Sequence, residues 1–114
     1  MDNNNLHMYI FVNNELKMSS GKIASQVGHV VMAMTEHLLN NKKSDEYKLY
    51  LQWKLNGQSK IVLKATESDL LYLKDLPNSK YVIDAGITQI NPNSLTVVGF
   101  LPNIHPEFKK FKLL

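Results

Sequence analysis

Lys22, Gln26 and His29 follow one another at spacings of four and three. In a helix, residues so spaced share one face. An ammonium, an amide and an imidazole on one stripe can hold an anion, orient a polar group and move a proton. The stretch that carries them, Leu16 to His29, reads LKMSSGKIASQVGH. Gly21 lets backbone come close to a ligand, and amides at a helix start attract anions. The Gly21-Lys22 pair is not a phosphate-binding loop, because the earlier glycine and the following Ser or Thr of that motif are absent. The plainer reading is a solvated polar stripe. It lies opposite Ile23, Val27, Val30, Val31, Met34 and Leu38, which form a face able to dock on a sheet.

A second constellation is DAGITQINP, Asp84 to Pro92. An Asp that ends a strand, with a Gly close behind, sits where open α/β sheets place ligands. Thr88 and Gln89 add a hydroxyl and an amide. A turn explains the same residues, with Asp84 capping it and Gly86 supplying positive φ. Lys60 and Lys64 make a third set, on one side of the short strand KIVLKA. They suit phosphate contacts, or simply a solvated edge. His7, His37 and His105 have no metal-ligand spacing with each other or with acids, and neither a Gly-x-Ser-x-Gly elbow nor an HExxH pair occurs.

Regular elements must position these groups. Residues 1–5 read as a polar tail. LHMYIFV, Leu6 to Val12, suits a buried strand. After a loop from Asn13 to Ser20, Ser19 or Ser20 caps a helix that runs to about Leu39. Ser44, followed by Asp45 and Glu46, starts a second helix to about Leu55, carrying Tyr47, Tyr50, Leu51 and a packing residue, Trp53. Asn56-Gly57 is a turn and Lys60 to Ala65 a strand. Thr66 and Asp69 form a capping box before Leu70, Leu71 and Leu73. Pro77-Asn78 breaks that helix. Strands follow at Lys80 to Ile83 and Leu95 to Phe100, then a short helix or coil to Leu114. The order β-α-α-β-α-β-β-α favours helices on both sides of one small mixed sheet.

Composition narrows the classes. A chain of 114 residues with a 44% hydrophobic fraction suits one domain over 1–114. With no cysteine, a disulfide framework, a Cys-based zinc site and a thiol nucleophile are all excluded. The first ten residues lack the pattern of a secretion signal, and no apolar run approaches the ~20 residues that span a bilayer. The net charge is +3, and all 13 basic residues are lysine. That is a mildly basic surface that meets phosphates as point charges, without guanidinium forks. Coding bias, in a chain also rich in Asn and Ile, is the plainer explanation for the absence of arginine.

Taken together, these runs resemble the type 2 family of peptidyl-tRNA hydrolases, found in archaea and eukaryotes. LKMSSGKIASQVGH is similar to the family's L-K-M-x-x-G-K-x-A-x-Q-x-x-H. Gly57-Gln58 followed by KIVLK resembles its G-Q-x-K-I-V-L-K. DAGITQINPNSLTVVG resembles its D-A-G-x-T-Q-[IV]-x-P-x-[ST]-x-T-V-[LV]-[AG]. Each motif alone is weak, but three in order are specific. The resemblance covers Tyr9 to Leu114 and implies a three-layer α/β/α sandwich with a small mixed four-stranded sheet. It implies hydrolysis of the ester joining peptide to tRNA, in the cytoplasm, without a metal or organic cofactor, by a chain often described as a homodimer. Family residues implicated in activity fall on Lys17, Lys22, Gln26, His29, Asp84, Thr88 and Thr96. Departures occur where the family has R-x-D, here Asn13-Asn14-Glu15, at Ile87, often basic, and at Leu101-Pro102 in place of Gly-Pro.

On this reading Asp84 and His29 organise and deprotonate a water, with the proton acceptor left open between them. Lys22 or a helix-start amide stabilises the oxyanion, and Thr88 and Thr96 position water or the carboxyl end. Lys17, Lys60 and Lys64 hold tRNA phosphates, with Gln26 and Gln89 on the substrate. The alternative is a non-catalytic RNA- or protein-binding module that keeps the fold. A metal-dependent nuclease is disfavoured, because no second carboxylate stands at suitable spacing from Asp84.

Overall fold

The computed structural model describes residues 5–85, 91 and 93–114. Four strands, β1 (Met8–Asn13), β2 (Lys60–Ala65), β3 (Ser79–Ile83) and β4 (Leu95–Phe100), form one sheet in the order β2-β1-β4-β3. β1 runs parallel to β2 and antiparallel to β4, which runs antiparallel to β3. The sheet is therefore mixed, as the sequence predicts. β1 and β4 occupy its centre and every one of their residues is buried. Their runs MYIFVN and LTVVGF are mostly apolar, as strands covered on both faces require.

Helices cover both faces, so the α/β sandwich expected from the sequence is present. α1 (Ser20–Leu39) and α2 (Asp45–Leu55) lie on one side, where Met8, Ile10, Val12 and Val97 meet Val30, Met34, Leu38, Tyr50 and Trp53. The shorter α3 (Glu67–Leu73) and a 3-10 turn at Pro106–Lys110 close the other side around Phe11, Phe100, Leu70 and Phe108. The final segment, read from sequence as helix or coil, takes the 3-10 form. A second 3-10 turn, Asn14–Leu16, occupies part of the loop expected after β1, and Asn13 belongs to the strand.

The helix starts follow local chemistry. Ser19 Oγ accepts from Lys22 N, and Ser44 Oγ from Tyr47 N. Thr66 and Asp69 make both bonds of a capping box on α3. α1 presses closely on β4 at Gly99, where a Cβ would stand 2.6 Å from Met34 Cε. The absent side chain is what allows the helix its approach.

The strand directions bring four strand ends to one end of the sheet. Asn13 pairs with Ala65, and Ile83 with Leu95. β1, β2 and β3 finish there, β4 starts there, and α1 begins beside them. Among the described residues, no helix is long and apolar enough to cross a membrane.

Candidate active site

Asp84 follows β3 directly, and the start of α1 faces it. Lys22 Nζ lies 2.7 Å from Asp84 Oδ1. The pair is largely withdrawn from water, with side chains 10% and 7% exposed. Gln26, one turn along α1, donates its Nε2 to the same oxygen at 3.4 Å. Its Oε1 accepts from Thr96 Oγ1 at 2.7 Å. The Thr96 hydroxyl also faces Val82 O at 3.3 Å. A continuous polar chain thus runs from the centre of the sheet, Thr96 to Gln26 to Asp84, and ends on Lys22.

Two expectations change here. Gln26 does not lie on a solvated stripe opposite the packing face. It is 3% exposed and belongs to the buried row Gln26, Val30, Met34, Leu38. The reason is Thr96 and Asp84, which give its amide partners inside the fold and offset the cost of burial. Thr96 is wholly buried, so it reaches a substrate only through Gln26. Its hydroxyl meets Gln26 and Val82 O inside the fold rather than opening into the cleft.

His29 lies on the next turn of α1 and is exposed. With Lys22, Ser25, Gln26, Val82, Ile83, Asp84 and Ala85 it lines a cleft of about 500 Å³. The imidazole and the carboxylate, from distant segments, therefore share one open cavity. Ser25 was missed from sequence, although its position three residues after Lys22 places it on the same side of the helix. Asn13 was also missed as a structural element. It is 2% exposed, donates Nδ2 to Leu95 O at 2.9 Å and accepts from Glu15 N at 3.0 Å. It ties β1 to β4 at the end of the sheet where β3 finishes. Thr88 and Gln89 lie outside the described residues.

The lysines divide. Lys17 is exposed beside the start of α1 and holds a left-handed conformation, φ 53°, uncommon for a residue with a Cβ. Lys64 pairs with Val12 at the site end of the sheet, but on edge strand β2, three strands from β3 and so about 14 Å across. Lys60 pairs with Met8 at the opposite end, its Nζ 5.2 Å from the Trp53 ring. The sheet does not bring Lys60 to the cleft. Among the described residues, no three His, Asp or Glu side chains gather where a metal ion could be held.

A carboxylate paired with an ammonium, with an imidazole in the same cleft of an α/β sandwich, makes a site of the hydrolase kind, one able to hold and activate a water. The chain belongs to a family of this kind: residues 6–114 match the family described as Peptidyl-tRNA hydrolase PTH2. Among its relatives is a protein of Staphylothermus marinus named peptidyl-tRNA hydrolase, 39% identical over 100 residues, 82% of this chain and 78% of that one. Another so named, from Sulfolobus acidocaldarius, is 36% identical over 104 residues, covering 85% and 87%. A third, from Saccharolobus islandicus, is 34% identical over 102 residues, covering 83% and 84%.

Proposed function

We propose that this chain is a peptidyl-tRNA hydrolase that cleaves the ester between a peptide and the 3′ ribose of tRNA, using the cleft between α1 and the end of β3. The observation that carries the reading is the buried Lys22–Asp84 pair, held by Gln26 in the same cleft as His29.

An ester has a better leaving group than an amide, so an aimed water suffices and no covalent intermediate is needed. Asp84 and His29 hold the water and take its proton as its oxygen attacks the carbonyl carbon. Lys22 neutralises the charge that develops on the carbonyl oxygen. The bond from that carbon to the ribose oxygen then breaks, and the proton passes to the ribose oxygen. The products are a peptide whose new carboxyl group gives up its remaining proton to solvent and a tRNA with a free 3′ hydroxyl. Gln26 and Thr96 fix the carboxylate so that little reorganisation is needed during reaction. Thr88 and Gln89 add polar contacts from the segment after Asp84. Lys17 and Lys64, with Lys60 further off, hold phosphates without reading sequence.

We read residues 1–114 as one domain acting in the cytoplasm on tRNA, as a homodimer. Sedimentation and localisation of a tagged chain test the last two points. The activity itself is tested by adding purified protein to peptidyl-tRNA. Release of tRNA is expected, whereas binding without release would mean a non-catalytic module.

A further inference from the structure

We propose that the outer edge of β3 takes the peptide part of the substrate as an added strand, parallel to β3, with its carboxyl end at Asp84. This rests on the peptidyl-tRNA hydrolase reading above and extends it to how the peptide is held.

The two edges of the sheet are treated differently. The carboxyl-terminal segment covers β2: Lys64 N donates to Lys112 O at 2.8 Å, Leu114 N donates to Val62 O at 3.0 Å, and Leu63 bridges to Leu113. At the other edge, β3 pairs with β4 alone among the described residues. Alternate residues of such a strand turn N–H and C=O groups outward, a ready template for another strand.

That edge leads into the candidate site. Tyr81 and Ile83 are 49% and 46% exposed, and Ala85 is exposed beyond them. At two-residue spacing Tyr81 and Ile83 share one side of the strand. Ile83 and Ala85 line the cleft with Lys22 and Asp84. Tyr81 and Ile83 lie on the α3 face of β3, opposite Val82 and Asp84, so it is the open main-chain edge of the strand that leads to the charged pair.

The substrate's chemistry selects the occupant. Peptides of any sequence must be accepted, and the feature they all share is the main chain. Main-chain bonding to a sheet edge supplies affinity without selecting side chains. Direction follows from where the ester lies. The scissile carbonyl is at the peptide's carboxyl end, and β3 reaches Asp84 at its own carboxyl end. A peptide alongside β3 with its ester at Asp84 must run parallel to it. Five residues of strand at roughly 3.3 Å each give a reach of about 16 Å.

The test uses the full chain and one tRNA bearing N-acetylated peptides of one to seven residues. kcat/KM is expected to rise about tenfold up to roughly five residues and then level off, the size that two or so net hydrogen bonds supply. N-methylation of peptide amides should abolish the rise in one alternation of positions and spare it in the other. Tyr81→Lys, which places a charge on the edge, should flatten the rise yet leave release of the one-residue substrate unchanged. Release independent of length and of N-methylation would overturn the proposal while the hydrolase reading stands. Absence of release from every substrate would overturn both. If Tyr81→Lys instead splits a dimer and the length dependence persists, the edge is an interface between copies and the proposal is wrong.

Discussion

Lys22 Nζ and Asp84 Oδ1 stand 2.7 Å apart although 62 residues separate them along the chain. Each comes from the end of a different element, one from the first turn of α1 and one from the residue after β3. Sequence-distant charges withdrawn this far from water need each other, because either left alone is costly. Pairing them at the mouth of a cleft holds the carboxylate in one place at its rim.

Asp84→Ala is expected to lower turnover by a factor of about 10² to 10⁴, the range for loss of a general base or its partner. Affinity for tRNA should hardly move, since the proposed phosphate contacts are with the lysines. Single-turnover release beside filter binding of deacylated tRNA separates the two effects. Full turnover in this variant would reject the mechanism. A second variant separates chemistry from folding. Lys22→Met alone should destabilise by roughly 1–3 kcal/mol, because the carboxylate keeps Gln26 but loses its cation, and adding Asp84→Leu should recover much of that without restoring turnover.

Gln26→Leu keeps the volume of the buried row in α1 but removes the amide between Thr96 and Asp84. Thr96 then retains only the longer contact to Val82 O, 3.3 Å. A loss of about 1–3 kcal/mol in urea unfolding is expected, as for one buried hydroxyl left poorly partnered. Turnover should fall with KM little changed. Gln26→Glu, which keeps an acceptor for Thr96 but adds a charge beside Asp84, should lower turnover further.

The lysines are expected to act through phosphate charge. Lys64→Ala and Lys17→Ala should each weaken tRNA binding and shallow its log–log salt dependence by about one. Lys60→Ala should do so less, since Lys60 sits at the far end of β2 beside Trp53. Lys17→Gly offers an internal control. Glycine tolerates the left-handed conformation at that position, so Tm should hold or rise while tRNA affinity drops. Titrations at several salt concentrations distinguish these outcomes.

Glu107 provides a pH handle away from the cleft. Burial alone would raise its pKa, but its backbone hydrogen bond, the hydrogen bond with His105 and the His105 charge together hold it below 4.5. His105 Nδ1 lies 2.7 Å from Glu107 Oε1. A carboxyl whose folded pKa is depressed contributes stability above its unfolded pKa and loses it as pH falls through the folded value. Glu107→Gln should therefore lower stability at neutral pH slightly, and the difference from wild type should vanish as pH falls through the depressed folded pKa of Glu107. The effect stays small because the group is largely exposed. Tm measured across pH 3 to 7 for both proteins checks the sign.

Much of the architecture was legible from short-range patterns. Ser19, Ser44 and the Thr66–Asp69 box mark helix starts because capping is a matter of a few neighbouring atoms. The runs KIVLKA and LTVVGF announce strands because burial on a pleated sheet demands apolar, β-branched residues in sequence. Lys22, Gln26 and His29 were found as a set by helical spacing alone, and Asp84 by its place after a strand. The same spacing misassigned the face that Gln26 occupies. Periodicity tells which residues share a stripe, but a polar residue can join the buried stripe if partners wait there. Its partners, Thr96 and Asp84, are 70 and 58 residues away.

The chain's local order, capping chemistry and candidate reactive groups were thus determined by the sequence itself, since each depends on residues within a turn or two. Which groups meet was decided by the sheet. With β3 outside β4 and α1 packed across both, Asp84 falls beside Lys22, Thr96 is sealed beneath Gln26, and Lys60 is carried to the far end. Strand order and direction are long-range outcomes of burying one core from two faces, and no local spacing encodes them.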